Sequence, residues 1–225
     1  MKDLLIFDMD GVLVDVTQSY RVTIRETVKH FTGYELSNQE IQDWKNRGGW
    51  NDDWLLSTQL IQEHGGNTPY VQVVDHFQKL FQGENSDGLI LREEWLAHDG
   101  LFDRLSEQHH LAVFTGRLRW EANVTLNRFF PNRFYPVIGA DDVARSKPDP
   151  EGLHKIRAAI AHGRCWYIGD TVDDARASHA AQVPFIGIAS KSSPRYSELV
   201  SLLLAEGAIA VLDDINSLEA AIANG

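Results

Sequence analysis

The stretch Leu4-Leu5-Ile6-Phe7-Asp8-Met9-Asp10-Gly11 decides how the rest of the chain is read. A short apolar run bounded by glycine predicts a strand buried on both faces. Alternation along an extended chain puts Asp8 and Asp10 on one side and Met9 on the other. Two carboxylates side by side at the end of a buried strand repel each other and resist desolvation. A divalent cation relieves that repulsion, and one carboxylate is then able to act as a nucleophile.

Further short apolar runs occur at 111–115, 136–139, 165–169, 184–188 and 208–212. Helical patterns separate them. Trp120, Val124 and Phe129 share one face, and Leu153, Ile156 and Ile160 another; helical runs at 199–205 and 215–222 follow. Strand and helix in alternation predict an α/β fold, a doubly wound parallel sheet covered on both faces. The first crossover is anomalous. About a hundred residues separate Asp10 from Leu111, against roughly thirty in an ordinary βαβ unit.

That interval is helix-like. Val16, Tyr20, Ile24 and Phe31 form a helical stripe, with Asp15 and Thr17 as expected caps. Ser37-Asn38-Gln39-Glu40 fits a capping box, and 54–64 and 69–81 suggest two more helices. The pattern predicts a helical module over residues 16–90, inserted into an α/β core made of 1–15 and 91–225. Trp54 and Trp120 are expected in the core of their regions.

Composition narrows the function. The chain has 225 residues, 43% hydrophobic and 24% charged, and a net charge of −11, which argues against nucleic acid or an anionic membrane as partner. Cys165 is the only cysteine, so no intrachain disulfide forms, and a cytoplasmic setting is the expectation. No basic leader segment or span-length apolar run is present, and the histidines show no metal-ligand spacing.

In open parallel sheets, ligands sit beyond the carboxyl ends of the strands. The sequence puts reactive groups at four such places. Asp8 and Asp10 follow the first strand. Thr115-Gly116-Arg117 follows the second, with a hydroxyl and open backbone N–H groups suited to a phosphate. Ser146-Lys147-Pro148-Asp149-Pro150 holds Lys147 extended ahead of a helix that Asp149 and Pro150 would open. Gly169-Asp170-Thr171-Val172-Asp173-Asp174 brings Asp170 near Asp174 if a helix begins there. Carboxylates of this kind suit Mg²⁺, and cations over a phosphoryl group suit phosphoryl transfer.

These residues resemble the haloacid dehalogenase superfamily, specifically its phosphoglycolate phosphatase-like branch with a helical cap. Asp8-Met9-Asp10-Gly11-Val12-Leu13 matches the first motif, Thr115 the second, Lys147 in Ser-Lys-Pro-Asp-Pro the third, and Gly169-Asp170 through Asp174 the fourth. The resemblance implies an Mg²⁺-dependent phosphatase acting on a small phosphorylated metabolite. It implies Asp8 as nucleophile and Asp10 as acid and base. Asp8, the carbonyl of Asp10 and Asp170 would hold the metal, with Asp174 supporting its water shell and Asp173 as the alternative to Asp174. Thr115, Gly116 and Lys147 would bind phosphate. The second aspartate, Asp10, speaks against the dehalogenase branch.

Thr115 is followed by Gly116-Arg117, where many relatives carry a small polar residue directly after the threonine; Arg117 is read either as a cation near substrate or as the start of a helix. The segment 44–52, with Lys45, Arg47 and Gly49, resembles a cap loop that meets substrate; its alternative is a solvent loop whose tryptophans pack the module. Arg21 faces either the site or water. The competing activities are a phosphomutase like β-phosphoglucomutase and a phosphonatase using Lys45 as a Schiff-base amine. An inactive scaffold serving as a binding or regulatory protein is the non-enzymatic reading. A monomer or homodimer is expected.

Overall fold

The computed structural model describes residues 1–84 and 87–223; positions 85 and 86 of the expected helical module, and 224 and 225 of the expected core, lie outside the described residues. The strands are β1 (Asp3–Phe7), β2 (Val14–Asp15), β3 (Glu94–Trp95), β4 (His109–Phe114), β5 (Val137–Ile138), β6 (Cys165–Gly169), β7 (Phe185–Ile188) and β8 (Ala210–Leu212). The helices are α1 (Tyr20–Thr32), α2 (Asn38–Asn46), α3 (Asp53–Glu63), α4 (Tyr70–Gln82), α5 (Leu101–Gln108), α6 (Arg119–Phe129), α7 (Glu151–Ala159), α8 (Val172–Ala180), α9 (Tyr196–Ala205) and α10 (Leu218–Ala223).

The chain divides into two compact units, Met1–Val14 with Trp95–Gly225, and Asp15–Glu94. The division falls at Glu94 rather than near residue 90, because a 3₁₀ turn over Leu89–Arg92 buries Ile90 in the helical unit's core.

In the first unit, six strands form one sheet in the order β5-β4-β1-β6-β7-β8. Their pairings are parallel. β1 lies inside the sheet and is apolar on both faces. Leu4 and Ile6 join a core with Leu153 and Ile156 of α7 and Ala175 and Ala177 of α8. Phe7, on the opposite face, meets Phe102 of α5 and Phe134 edge-on, with ring centroids 5.4 and 6.0 Å apart. Each such buried side chain contributes roughly 1.5–3 kcal/mol.

One helix turns the other way from its apolar pattern. Trp120 is 43% exposed and Val124 is exposed with it, while α6 buries Glu121, Ala122, Thr125 and Leu126. Trp120 is therefore not core. Thr125 faces inward to accept from a buried arginine, and Glu121 turns in to accept from the Leu118 N–H at the start of the helix.

In the helical unit, Tyr20, Ile24 and Val28 of α1 pack with Leu56, Leu60 and Ile61 of α3 and Val73, Phe77 and Phe81 of α4. Trp44, Trp50 and Trp54 lie against this core. Ser37 and Glu40 form the expected capping box at α2. The expected capping of α1 by Asp15 and Thr17 is not what forms: Ser19 holds the N-cap position, and the Asp15 carboxylate accepts from the Thr17 N–H at 2.7 Å, closing a turn ahead of the helix.

Candidate active site

β1 pairs with both β4 and β6, setting Phe7 opposite Val113 on one side and Ile168 on the other. The strand ends of β1, β4 and β6 therefore lie level, and the residues just beyond them meet. Asp8 extends the ladder by one bond, its N–H donating to the Ile168 carbonyl at 2.8 Å. The chain then turns tightly, with the Met9 carbonyl accepting from the N–H groups of Val12, Leu13 and Val14. Gly11 makes this turn at φ 73°. A Cβ there would fall 2.2 Å from Asp170 Oδ2, so only glycine leaves room for the Asp170 carboxylate against the turn.

The turn separates the two aspartates that the sequence reads as a side-by-side pair. Asp8, 3% exposed, receives Lys147 Nζ at 3.0 Å. Asp10, more open, receives Arg117 instead. Each carboxylate has its own cation.

Lys147 is buried and also reaches Asp174 Oδ1 at 2.6 Å and the Tyr167 hydroxyl at 3.1 Å. Tyr167 donates to Asp174 Oδ1 at 2.6 Å. Asp174 is the third residue of α8 and closes a capping box: the Thr171 hydroxyl and N–H both donate to its Oδ2. Oxygens of Asp8, Asp170 and Asp174 lie within 4.8 Å of one another. Between the two acidic neighbours, the structure thus brings Asp174 rather than Asp173 into the cluster; Asp173 is buried beside it.

Burial raises the Asp8 carboxyl to about 7, against the pull of Lys147 and with help from the Asp174 and Asp10 charges. Burial alone would lower the Lys147 ammonium, but Asp174 and Asp8 outweigh it and hold it above its ordinary value. Burial likewise opposes ionisation of Asp174, yet Lys147, Thr171 and Tyr167 together keep its carboxyl below the usual range. The cluster holds an ionised Lys147–Asp174 pair beside an Asp8 whose charge depends on a neighbouring cation.

Thr115 sits at the end of β4, buried. The sequence reads the N–H groups of this loop as open. In the structure the Thr115 N–H donates to the Ile138 carbonyl at 3.0 Å, and the Arg117 N–H donates to Thr115 Oγ1 at 3.3 Å. The reason is that β5 continues to pair beyond β4 and the loop folds back on its threonine. The Gly116 N–H has no acceptor among the described residues. Arg117 neither opens α6, which begins at Arg119, nor faces outward. Its side chain is 1% exposed, with Nε 2.7 Å and Nη2 2.5 Å from Asp10 Oδ1, and Nη1 3.0 Å from Thr125 Oγ1.

The remaining predicted residues belong to the helical unit. Lys45 pairs with Asp53 at 2.8 Å, and the Arg47 guanidinium stacks 4.4 Å from the Trp44 ring centroid. Gly49 has φ 80°, and Trp50 meets Trp44 edge-on. Arg21 donates to Gln42 at 2.6 Å. Sequence reasoning missed Tyr167 and Thr125. The signal for Tyr167 was a hydroxyl inside an otherwise aliphatic strand, which demands a partner when buried.

A haloacid dehalogenase-like hydrolase family model matches residues 5–188. A protein of Phytophthora nicotianae named imidazoleglycerol-phosphate dehydratase is 33% identical over 82% of this chain; the chain spans 42% of that relative's length. Phosphoglycolate phosphatase of Colwellia psychrerythraea is 24% identical over 83% of this chain and 84% of its own. Among solved structures, a haloacid dehalogenase-like protein of Agrobacterium tumefaciens superposes with a TM-score of 0.77, covering 100% of this chain and 99% of its own at 23% identity.

Proposed function

We propose, for a chain that belongs to the haloacid dehalogenase-like hydrolase family, that it hydrolyses a small phosphate monoester through an aspartyl-phosphate on Asp8. Relatives named as phosphatases support this reading. The observation that carries the finer reading is the contact of Lys147 with both Asp8 and Asp174, in a pocket of carboxylate oxygens from two strand ends.

Asp8, Asp170 and Asp174, with the Asp10 carbonyl, would hold Mg²⁺. The donor set fits: hard oxygens, those of Asp8 and Asp174 buried and that of Asp170 partly so, with a space at Gly11 that a Cβ would fill. Such an ion supplies positive charge that keeps Asp8 ionised and offsets the charge of the phosphoryl oxygens. An Asp8 oxygen attacks phosphorus as the ester P–O bond breaks. The Asp10 carboxyl gives its proton to the departing oxygen, then takes one from the water that attacks the aspartyl-phosphate and restores Asp8. Lys147, the Thr115 hydroxyl and the Gly116 N–H would bind the phosphoryl oxygens. The helical unit would act as a cap that sets specificity, with segment 44–52 as its substrate-facing loop.

The test is phosphate release from p-nitrophenyl phosphate by purified protein with Mg²⁺ and with EDTA, for wild type and Asp8→Asn. Release that requires both the metal and Asp8 is expected; release surviving either loss would overturn the assignment. For the natural substrate, the names of the relatives suggest two classes to screen. One is a phosphorylated two-carbon acid such as phosphoglycolate. The other is a phosphorylated glycerol-like chain bearing an imidazole. The phosphonatase reading draws no support from Lys45, whose ammonium is engaged by Asp53. A phosphomutase would instead return the phosphoryl group to a sugar phosphate in the presence of a bisphosphate.

A further inference from the structure

We infer that Arg117 is a positioning residue for Asp10, assigning different tasks to its two carboxylate oxygens. The inference rests on the phosphatase reading, in which Asp10 is the acid and base. Arg117 Nε and Nη2 both donate to Oδ1 of Asp10, at 2.7 and 2.5 Å. An oxygen accepting two charge-assisted hydrogen bonds is a poor place for a proton, so the transferable proton belongs on Oδ2. The guanidinium is itself held. Nη1 donates to Thr125 Oγ1 at 3.0 Å, and the side chain is buried whereas Asp10 is 30% exposed. The clamp is thus anchored in the interior and its target projects outward.

The clamp also explains why α6 buries Thr125 while Trp120 stays exposed. An arginine taken out of water needs partners for its N–H groups, and the polar face of α6 is turned toward it. In the first chemical step Oδ2 gives its proton to the leaving oxygen as that oxygen parts from phosphorus and Asp8 bonds to it. In the second, Oδ2 takes a proton from the attacking water as the Asp8–phosphorus bond breaks. Rotation of the carboxylate about its Cβ–Cγ bond would exchange the two oxygens. The Arg117 contacts oppose that rotation.

The experiment is a leaving-group series. Values of kcat/KM are measured with Mg²⁺ for p-nitrophenyl phosphate, which needs little proton donation, and for alkyl phosphates, which need it fully. The variants are Arg117→Met, Arg117→Lys, Asp10→Asn and the Arg117→Met/Asp10→Asn pair. Arg117→Met is expected to lose about 100-fold on alkyl phosphates and less than about 5-fold on p-nitrophenyl phosphate. Added to Asp10→Asn it should cost nothing further, since the group it orients is already gone. Lysine should restore part of the loss.

Equal losses on both substrates, or a loss that multiplies with Asp10→Asn, would overturn the proposal. Thr125→Val, which removes only the anchor, should steepen the leaving-group dependence in the same direction and serves if Arg117→Met does not fold; an unchanged dependence there would count equally against it. Absence of Asp8-dependent release by wild type would instead overturn the phosphatase reading, and the two failures are distinct.

Discussion

The Tyr167 hydroxyl donates to Asp174 Oδ1 at 2.6 Å, and that same oxygen accepts from Lys147 at 2.6 Å. A phenol reaching up from the middle of β6 thus braces the ion pair of the site from below. Tyr167→Phe removes the brace but keeps the ring in its core. We expect a stability loss of about 1–3 kcal/mol by denaturant unfolding, since buried partners lose a hydrogen bond. Turnover should fall roughly 10-fold, because Lys147 keeps Asp8 and Asp174 but loses a fixed orientation. Wild-type stability in the variant would show that the hydroxyl is replaceable by solvent.

On the proposed mechanism, Asp8→Asn should lower kcat by more than about 1,000-fold, with the protein still folded, because asparagine would retain the shape but not the nucleophilic oxygen. Circular dichroism and thermal unfolding alongside the assay separate the lost chemistry from a lost fold.

Gly11→Ala tests the metal cradle. The added methyl would stand 2.2 Å from Asp170 Oδ2 in a backbone at φ 73°, so Asp170 must shift. Calorimetric titration should show Mg²⁺ affinity weakened by about 10-fold or more, as an oriented ligand is displaced. Unaltered affinity would place the ion elsewhere.

His76 of α4 gives the helical unit a pH dependence. Its ring stacks on His30 of α1, centroids 4.0 Å apart. Burial, then the charges of His30 and Lys79, hold its pKa below the ordinary 6.5 of a free imidazole. As pH falls through 6.5 the unfolded chain takes up the proton first, so this group's stability contribution is present above 6.5 and is lost as pH drops toward the folded value. The melting temperature of the whole chain should fall between about pH 7 and pH 5, and His76→Phe should flatten that slope. An equal slope in both proteins would remove His76 as the cause.

Much of this architecture was legible in the chain. Uninterrupted runs such as Leu4–Phe7 are readable because a strand buried on both faces must be apolar throughout, and each predicted run became a strand. Lys147 and Asp170 were legible because each follows a strand or opens a helix where little else explains a charge. The misread helix α6 has a physical source. Where a buried charge dictates packing, hydrophobic periodicity misleads: Trp120 lies outside and Thr125 inside because Arg117 is there. The separate partners of Asp8 and Asp10 were hidden for a related reason, since strand alternation stops at Phe7 and a turn replaces it.

The level ending of β1, β4 and β6 carries a consequence for how the molecule tolerates change. Reactive groups from three distant parts of the chain share one datum, the hydrogen-bond register of neighbouring strands. Sliding β6 by a single residue against β1 would turn Tyr167 to the opposite face and carry Asp170 away from Gly11. Insertions that leave the residues just beyond the strand ends in place preserve this datum, whereas a single deletion within one of the strands dismantles the whole constellation at once.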